Sequence, residues 1–125
     1  MDFTYEIIPE KSLVKETYAG RIEKQGLMEA FSLITEDPLW KKQMNYIANY
    51  SSAQVKLNYK EMDAYANWAR KKDKAKYIAI VVSSELEFGM ARMFEMLTEP
   101  DLYEECKFCY DLKEAEQWIE SKSVD

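Results

Sequence analysis

The chain has 125 residues, 47% of them hydrophobic and 32% charged, with a net charge of −6 and a pI near 4.8. One domain fits that length, because halves of it would be too small to bury stable cores, and the composition lies far from the disordered range. The acidic balance argues against nucleic acid as a partner, since that affinity comes from Lys and Arg neutralising phosphates. Residues Met1–Glu6 lack the charged start and apolar core of a signal peptide, and no window approaches the roughly 20 apolar residues of a membrane span. A cytoplasmic protein is expected.

The elements follow in order. Phe3–Ile8 alternates as a strand and Pro9 stops it. Leu13–Ile22 forms a second strand, with Val14, Glu16 and Tyr18 on one face and Leu13, Lys15, Thr17 and Ala19 on the other. The short polar link Glu10-Lys11-Ser12 predicts a hairpin. A helix runs from Lys24 to Thr35, with Leu27, Ala30, Phe31 and Ile34 as one apolar stripe, and Glu36-Asp37-Pro38 ends it. Met44–Tyr50 reads as a third strand. Asn58 caps a helix from Tyr59 to Lys72, with Met62, Tyr65, Ala66 and Ala69 inward. The basic run Arg70–Lys76 complements the C-terminal dipole of that helix.

Tyr77–Val82 is an unbroken β-branched run of the kind that helices cover on both faces. Ser84 and Glu87 form a capping box opening a third helix to Thr98, centred on Leu86, Met90, Met93 and Leu97. Glu104–Tyr110 is the last strand, and Asp111 with Glu114 caps a closing helix that buries Leu112, Ala115 and Ile119. The predicted fold is α/β: a mixed, mostly parallel five-stranded sheet with four helices in the order β-β-α-β-α-β-α-β-α.

Catalytic and metal chemistry have few tools here. There is no histidine, which excludes Ser-His-Asp and Cys-His machinery and most catalytic zinc sites. Cys106 and Cys109 form a C-x-x-C, but three residues apart on a strand the sulfurs point to opposite faces, so they read as structural. Glu99, Asp101, Glu104 and Glu105 lack the spacing of a calcium loop and read as a solvated face. The expectation is a non-enzymatic protein with no metal and no cofactor.

Ala79-Ile80-Val81-Val82 followed by Phe88-Gly89-Met90-Ala91-Arg92-Met93-Phe94, with the ending Glu114-Ala115-Glu116-Gln117-Trp118-Ile119 and the Asp37-Pro38 turn, resembles a family of short uncharacterised bacterial STAS-like proteins. These share the fold of the anti-sigma-factor antagonists and of CRAL-TRIO-like lipid-transfer domains. The resemblance implies a single STAS-like domain over 1–125. It also implies a phosphorylatable Asp-Ser-Ser-Gly at the start of the helix after the central strand. The matching stretch has Ser51 and Ser52 without the preceding aspartate or the following glycine. These are the candidate phosphosites, with ordinary loop serines as the alternative.

The third helix offers the other candidates. At 100° per residue Phe88 falls on the polar side between Arg92 and Glu95, which makes these three a candidate docking surface for a protein partner or a second copy in a homodimer. The alternative is a neighbouring segment covering Phe88. Met90, Met93 and Phe94 are candidates for lining a ligand pocket, with plain core as the alternative. The leading expectation is an interaction or regulatory module acting through protein–protein docking. The second is a small-molecule or lipid carrier, which requires an enclosed apolar cavity of roughly a few hundred cubic ångströms.

Overall fold

The computed structural model describes residues 1–83, 85–98 and 103–123, with the side chains at 85–87, 94, 96–98 and 123 left aside. Strand β1 (Asp2–Ile8) turns through a single 3-10 turn at Pro9–Lys11 into β2 (Leu13–Ile22). Ser12 closes that turn in the left-handed region, its N–H donating to the Pro9 carbonyl. Then follow α1 (Lys24–Glu36), β3 (Asn45–Val55), α2 (Tyr59–Arg70), β4 (Ala75–Val81), α3 (Glu85–Thr98), β5 (Tyr103–Cys109) and α4 (Leu112–Ser123).

The sheet order is β1-β2-β3-β4-β5, with β1 antiparallel to β2 and every later pair parallel. Each parallel step advances one place in the same direction. Right-handed crossovers then deliver the connecting helices to one face. Accordingly α1 and α2 share two apolar clusters with that face: Val14, Ile34, Tyr46 and Ala69 in one, and Tyr18, Ile22, Leu27, Ala30 and Met62 in the other. The closing helix α4 takes the opposite face, where Ala115 and Ile119 pack on Leu13, Ile47, Ala79 and Val81. β4 is thus covered on both sides, as its unbroken apolar run requires. Its residues Ala79 to Val82 are all buried.

Local signals explain the helix ends. Asn58 and Glu61 form a reciprocal capping box at the start of α2, with the Asn58 side chain accepting from the Glu61 N–H at 2.8 Å. Asp111 accepts from the Glu114 N–H at 2.8 Å, while the Glu114 carboxylate reaches back to the Tyr110 N–H. The capping pair expected at Ser84 and Glu87 lies outside the described residues. The basic run after α2 behaves as a helix terminus: Lys72 sits 4.8 Å from the Trp68 ring. Cys106 and Cys109 form no disulfide and belong to opposite faces of the sheet, Cys106 packing on the α1–α2 side and Cys109 on the α4 side. Burial pushes the Cys109 thiol up to about 11.

The third strand is longer than its sequence pattern indicates, and the reason is a bulge. Thr17 pairs with Asn49 but Ala19 pairs with Ser52, so β3 spends one extra residue opposite Tyr18. Beyond that point the inward positions change phase from Ala48 and Tyr50 to Ala53. Gly20, two residues past Tyr18, takes a φ of 79°, which glycine supplies without strain.

Candidate functional site

Alternation along β2 puts Val14, Glu16 and Tyr18 under α1 and α2, where a carboxylate between two core residues is out of place. Glu16 lines a cavity of about 80 Å³. Each neighbouring element contributes to its wall: Tyr46, Ala48 and Tyr50 from β3, Phe31 from α1, Tyr65 and Ala69 from α2, and Ile78 and Ile80 from β4. Asp73, Ala75 and Tyr103 complete it. A space of that size exceeds what one water needs, roughly 10–15 Å³.

Glu16 is charged at a cost. Among the described residues its one hydrogen bond comes from the Tyr18 hydroxyl, at 2.5 Å, and it has no ion pair. Desolvation raises its carboxyl to about 7, against a smaller downward pull from the Tyr18 hydrogen bond. The tyrosines respond in kind. Burial holds Tyr18, Tyr46, Tyr50 and Tyr65 above the usual phenol range, and the Glu16 charge adds to each. These hydroxyls stay protonated.

Several contacts fix the walls. Tyr18 lies between Phe3, at 5.0 Å, and Tyr50, which stacks on it at 4.5 Å with the rings 3° apart. The β3 bulge permits this stack by shifting Tyr50 out of regular register. Asn49 Oδ1 accepts from both the N–H and the hydroxyl of Ser51, at 3.0 and 2.6 Å, and so satisfies the backbone donor at the bulge. The Tyr46 hydroxyl accepts from Trp40 Nε1 at 2.8 Å. The Asp73 carboxylate accepts from the Gln43 N–H at 3.1 Å, pinning a loop residue whose φ is 65°. Desolvation raises Asp73 as well, while this backbone bond opposes the shift.

A second chamber of about 70 Å³ adjoins the first, with Tyr50, Tyr65 and Ile80 common to both walls. Its remaining wall is apolar: Leu27, Val55, Leu57, Met62, Val82, Met90 and Ala91. The two spaces lie on either side of Tyr50, Tyr65 and Ile80, polar at Glu16 and oily toward α3.

The residues singled out on α3 divide. Met90 lines the second chamber as expected of a pocket residue. Met93 does not: it is 37% exposed and lines neither chamber. Phe94 lies outside the described side chains. Phe88 is half-buried rather than on a bare polar face, packed edge-on against Phe108 and stacked on Tyr110, both at 5.5 Å. Arg92 is exposed and pairs with Glu95 at 3.8 Å. Sequence reasoning missed the Glu16 site. Its four tyrosines are scattered from 18 to 65, and the one local sign was a glutamate between Val14 and Tyr18 on a buried face.

No protein-family model matches the chain, and no curated protein matches it. Among solved structures it is similar to an uncharacterised protein of the DUF3478 family from Shewanella loihica PV-4, described as having a SpoIIAA-like fold. The TM-score is 0.64 at 15% identity, covering 94% of this chain and 93% of that one. The fold is SpoIIAA-like. Within this SpoIIAA-like frame Ser51 and Ser52 lie in the middle of β3 and not at a helix start. The helix that follows begins at Tyr59. Ser51 serves the bulge, and the expected phosphosite geometry is absent at both serines. No helix among the described residues is long and apolar enough to cross a membrane.

Proposed function

We propose that this chain is a non-enzymatic, cytoplasmic binding module whose ligand is a small amphiphilic molecule held between the sheet and helices α1–α3. The observation that carries this reading is the pair of adjoining chambers, one lined by Glu16 and tyrosines, the other by aliphatic side chains. A protein that needed only stability would fill such space, because interiors pack to crystal-like density and voids cost free energy. Sites that bind small molecules have this character: apolar walls with a few placed polar groups. Chambers of about 80 and 70 Å³ confine the ligand to a small molecule, short of the roughly 300–1,000 Å³ of a drug- or lipid-sized pocket.

The test is calorimetry with short-chain amphiphiles sharing one tail and differing in headgroup. At least one headgroup class saturates a single site. The Ala48→Leu variant, which fills the first chamber from its floor, loses that binding while keeping its circular dichroism spectrum. Unchanged binding in Ala48→Leu, or no binding by any class, contradicts the reading.

A second reading is docking of a protein partner or a second copy at the junction of α3 and β5. Tyr110 stacks on Phe88 yet is 54% exposed, and Leu112 beside it is exposed too. Exposed aromatics of this kind mark interfaces, with Arg92 and Glu95 as neighbouring polar groups on α3. Light scattering on wild type and Tyr110→Asp separates the outcomes. A dimer dissociated by the substitution supports docking of a second copy, and an unchanged monomer removes it.

A further inference from the structure

We propose that the ligand's headgroup is an organic ammonium, its nitrogen seated against the Glu16 carboxylate inside the tyrosine-lined chamber, and its tail in the aliphatic chamber under α3. This rests on the small-molecule reading above and names the ligand class for it.

The argument starts from what lines the polar chamber. Its charged members are Glu16 and Asp73, both carboxylates, and its other polar members are tyrosines. Asp73 is engaged by backbone N–H groups. Among the described residues Glu16 has only the Tyr18 hydroxyl. The described lining includes no Lys or Arg. A carboxylate accepts hydrogen bonds and offers none, and a phenol oxygen accepts as well as donates. The space is therefore rich in acceptors and negative potential and lacks a cation.

A half-buried, partly desolvated carboxylate without a cationic partner is costly to keep charged. A ligand bringing a positive charge and N–H donors supplies the missing partner. The walls exclude the simplest competitor. Phe31, Ala48, Ile78 and Ile80 surround the acceptors with apolar surface, which suits carbon substituents on nitrogen better than the water shell of a hard metal ion. Aromatic walls add attraction for a cation lying near them. A negatively charged head is disfavoured by both carboxylates. A neutral head would leave Glu16 uncompensated.

The proposal has a pH signature. The groups facing Glu16 are Tyr18 on its own strand, Tyr46 and Tyr50 on β3, Tyr65 on α2 and Asp73 before β4. The tyrosines stay neutral across the working range, so Glu16 is the group that sets the profile, with its carboxyl raised to about 7. Ammonium affinity falls as pH drops through that value and Glu16 takes up a proton. Affinity for a neutral head does not follow it.

The experiment is calorimetry at pH 8 with hexylammonium, 1-hexanol and hexanoate, repeated with hexylammonium and 1-hexanol at pH 6. The expected result is at least tenfold tighter binding of hexylammonium than of 1-hexanol at pH 8, with hexanoate weakest and the preference shrinking at pH 6. Glu16→Gln, which keeps the shape and removes the charge, abolishes the preference so that amine and alcohol bind alike. If that variant fails to fold, the wild-type pH comparison decides alone. Equal or tighter binding of 1-hexanol or hexanoate at pH 8 overturns the ammonium assignment and leaves the small-molecule reading standing. No binding by any of the three overturns both.

Discussion

The two faces of this sheet are built from the same five strands, alternating residue by residue, and they are used differently. Toward α4 the strands present Leu13, Ile47, Ala79, Val81 and Cys109, which close on Ala115 and Ile119 as an apolar layer, bordered by an open cleft of about 640 Å³ whose wall adds Lys15, Asn45 and Glu116. Toward α1–α3 the same strands present Glu16, Tyr18, Tyr46 and Tyr50, and leave two adjoining spaces between them. One face carries stability. The other holds a half-buried carboxylate with no cationic partner among the described residues, and such local departures from good core chemistry concentrate where ligands act.

The contrast can be broken in three places, in descending order of effect. Ile47 lies in the apolar layer under α4 and is 1% exposed, so Ile47→Ala should cost about 2–5 kcal/mol in chemical denaturation, with ligand affinity for the surviving folded protein little changed. A loss below about 1 kcal/mol would mean that the α4 face is not the stability layer.

Glu16→Gln should act in the opposite direction. The Glu16 carboxyl is raised from 4.5 to about 7 on folding, so between those values the folded state holds a proton that the unfolded state has released. Its contribution is favourable below about pH 4.5 and is lost as pH rises through about 7. The full linkage for such a shift is about 3 kcal/mol, reduced because the carboxylate faces a cavity that water can enter. Glu16→Gln should therefore be ~1–3 kcal/mol more stable than wild type at pH 8.5 and nearly equal to it at pH 4. A difference that does not change with pH would show that Glu16 is adequately solvated where it sits.

The smallest effect belongs to the rim. Tyr110 is more than half exposed, so Tyr110→Asp should alter stability by less than about 1 kcal/mol. Its influence on oligomeric state can then be read without a folding artefact, which Phe88→Asp, at a half-buried ring packed on Phe108 and Tyr110, would not allow.

Much of the frame was legible in the amino-acid sequence because its signals are local. Pro9 stops β1, Asn58 with Glu61 caps α2, and the run at Tyr77–Val82 announces a strand covered on both sides. Even the face carrying Val14, Glu16 and Tyr18 followed from period-2 alternation. Two failures share a cause, which is phase. β3 was cut short at Tyr50 because the bulge opposite Tyr18 breaks its alternation, and serines inside a ladder then resembled a loop. On α3 the apolar residues surround so much of the helix that periodicity alone could not say which way Met93 points. The site itself needed the fold. Tyr18, Tyr46, Tyr50 and Tyr65 meet only through sheet order and the α2 crossover, and nothing in their spacing shows it.

The central claim is that the α1–α3 face is a binding site organised around the half-buried Glu16 carboxylate, and NMR titration of that carboxyl tests it most directly. The account predicts a midpoint near 7 in the free protein, moving down when hexylammonium is present. A midpoint in the ordinary carboxylate range, unmoved by the amine, would contradict it.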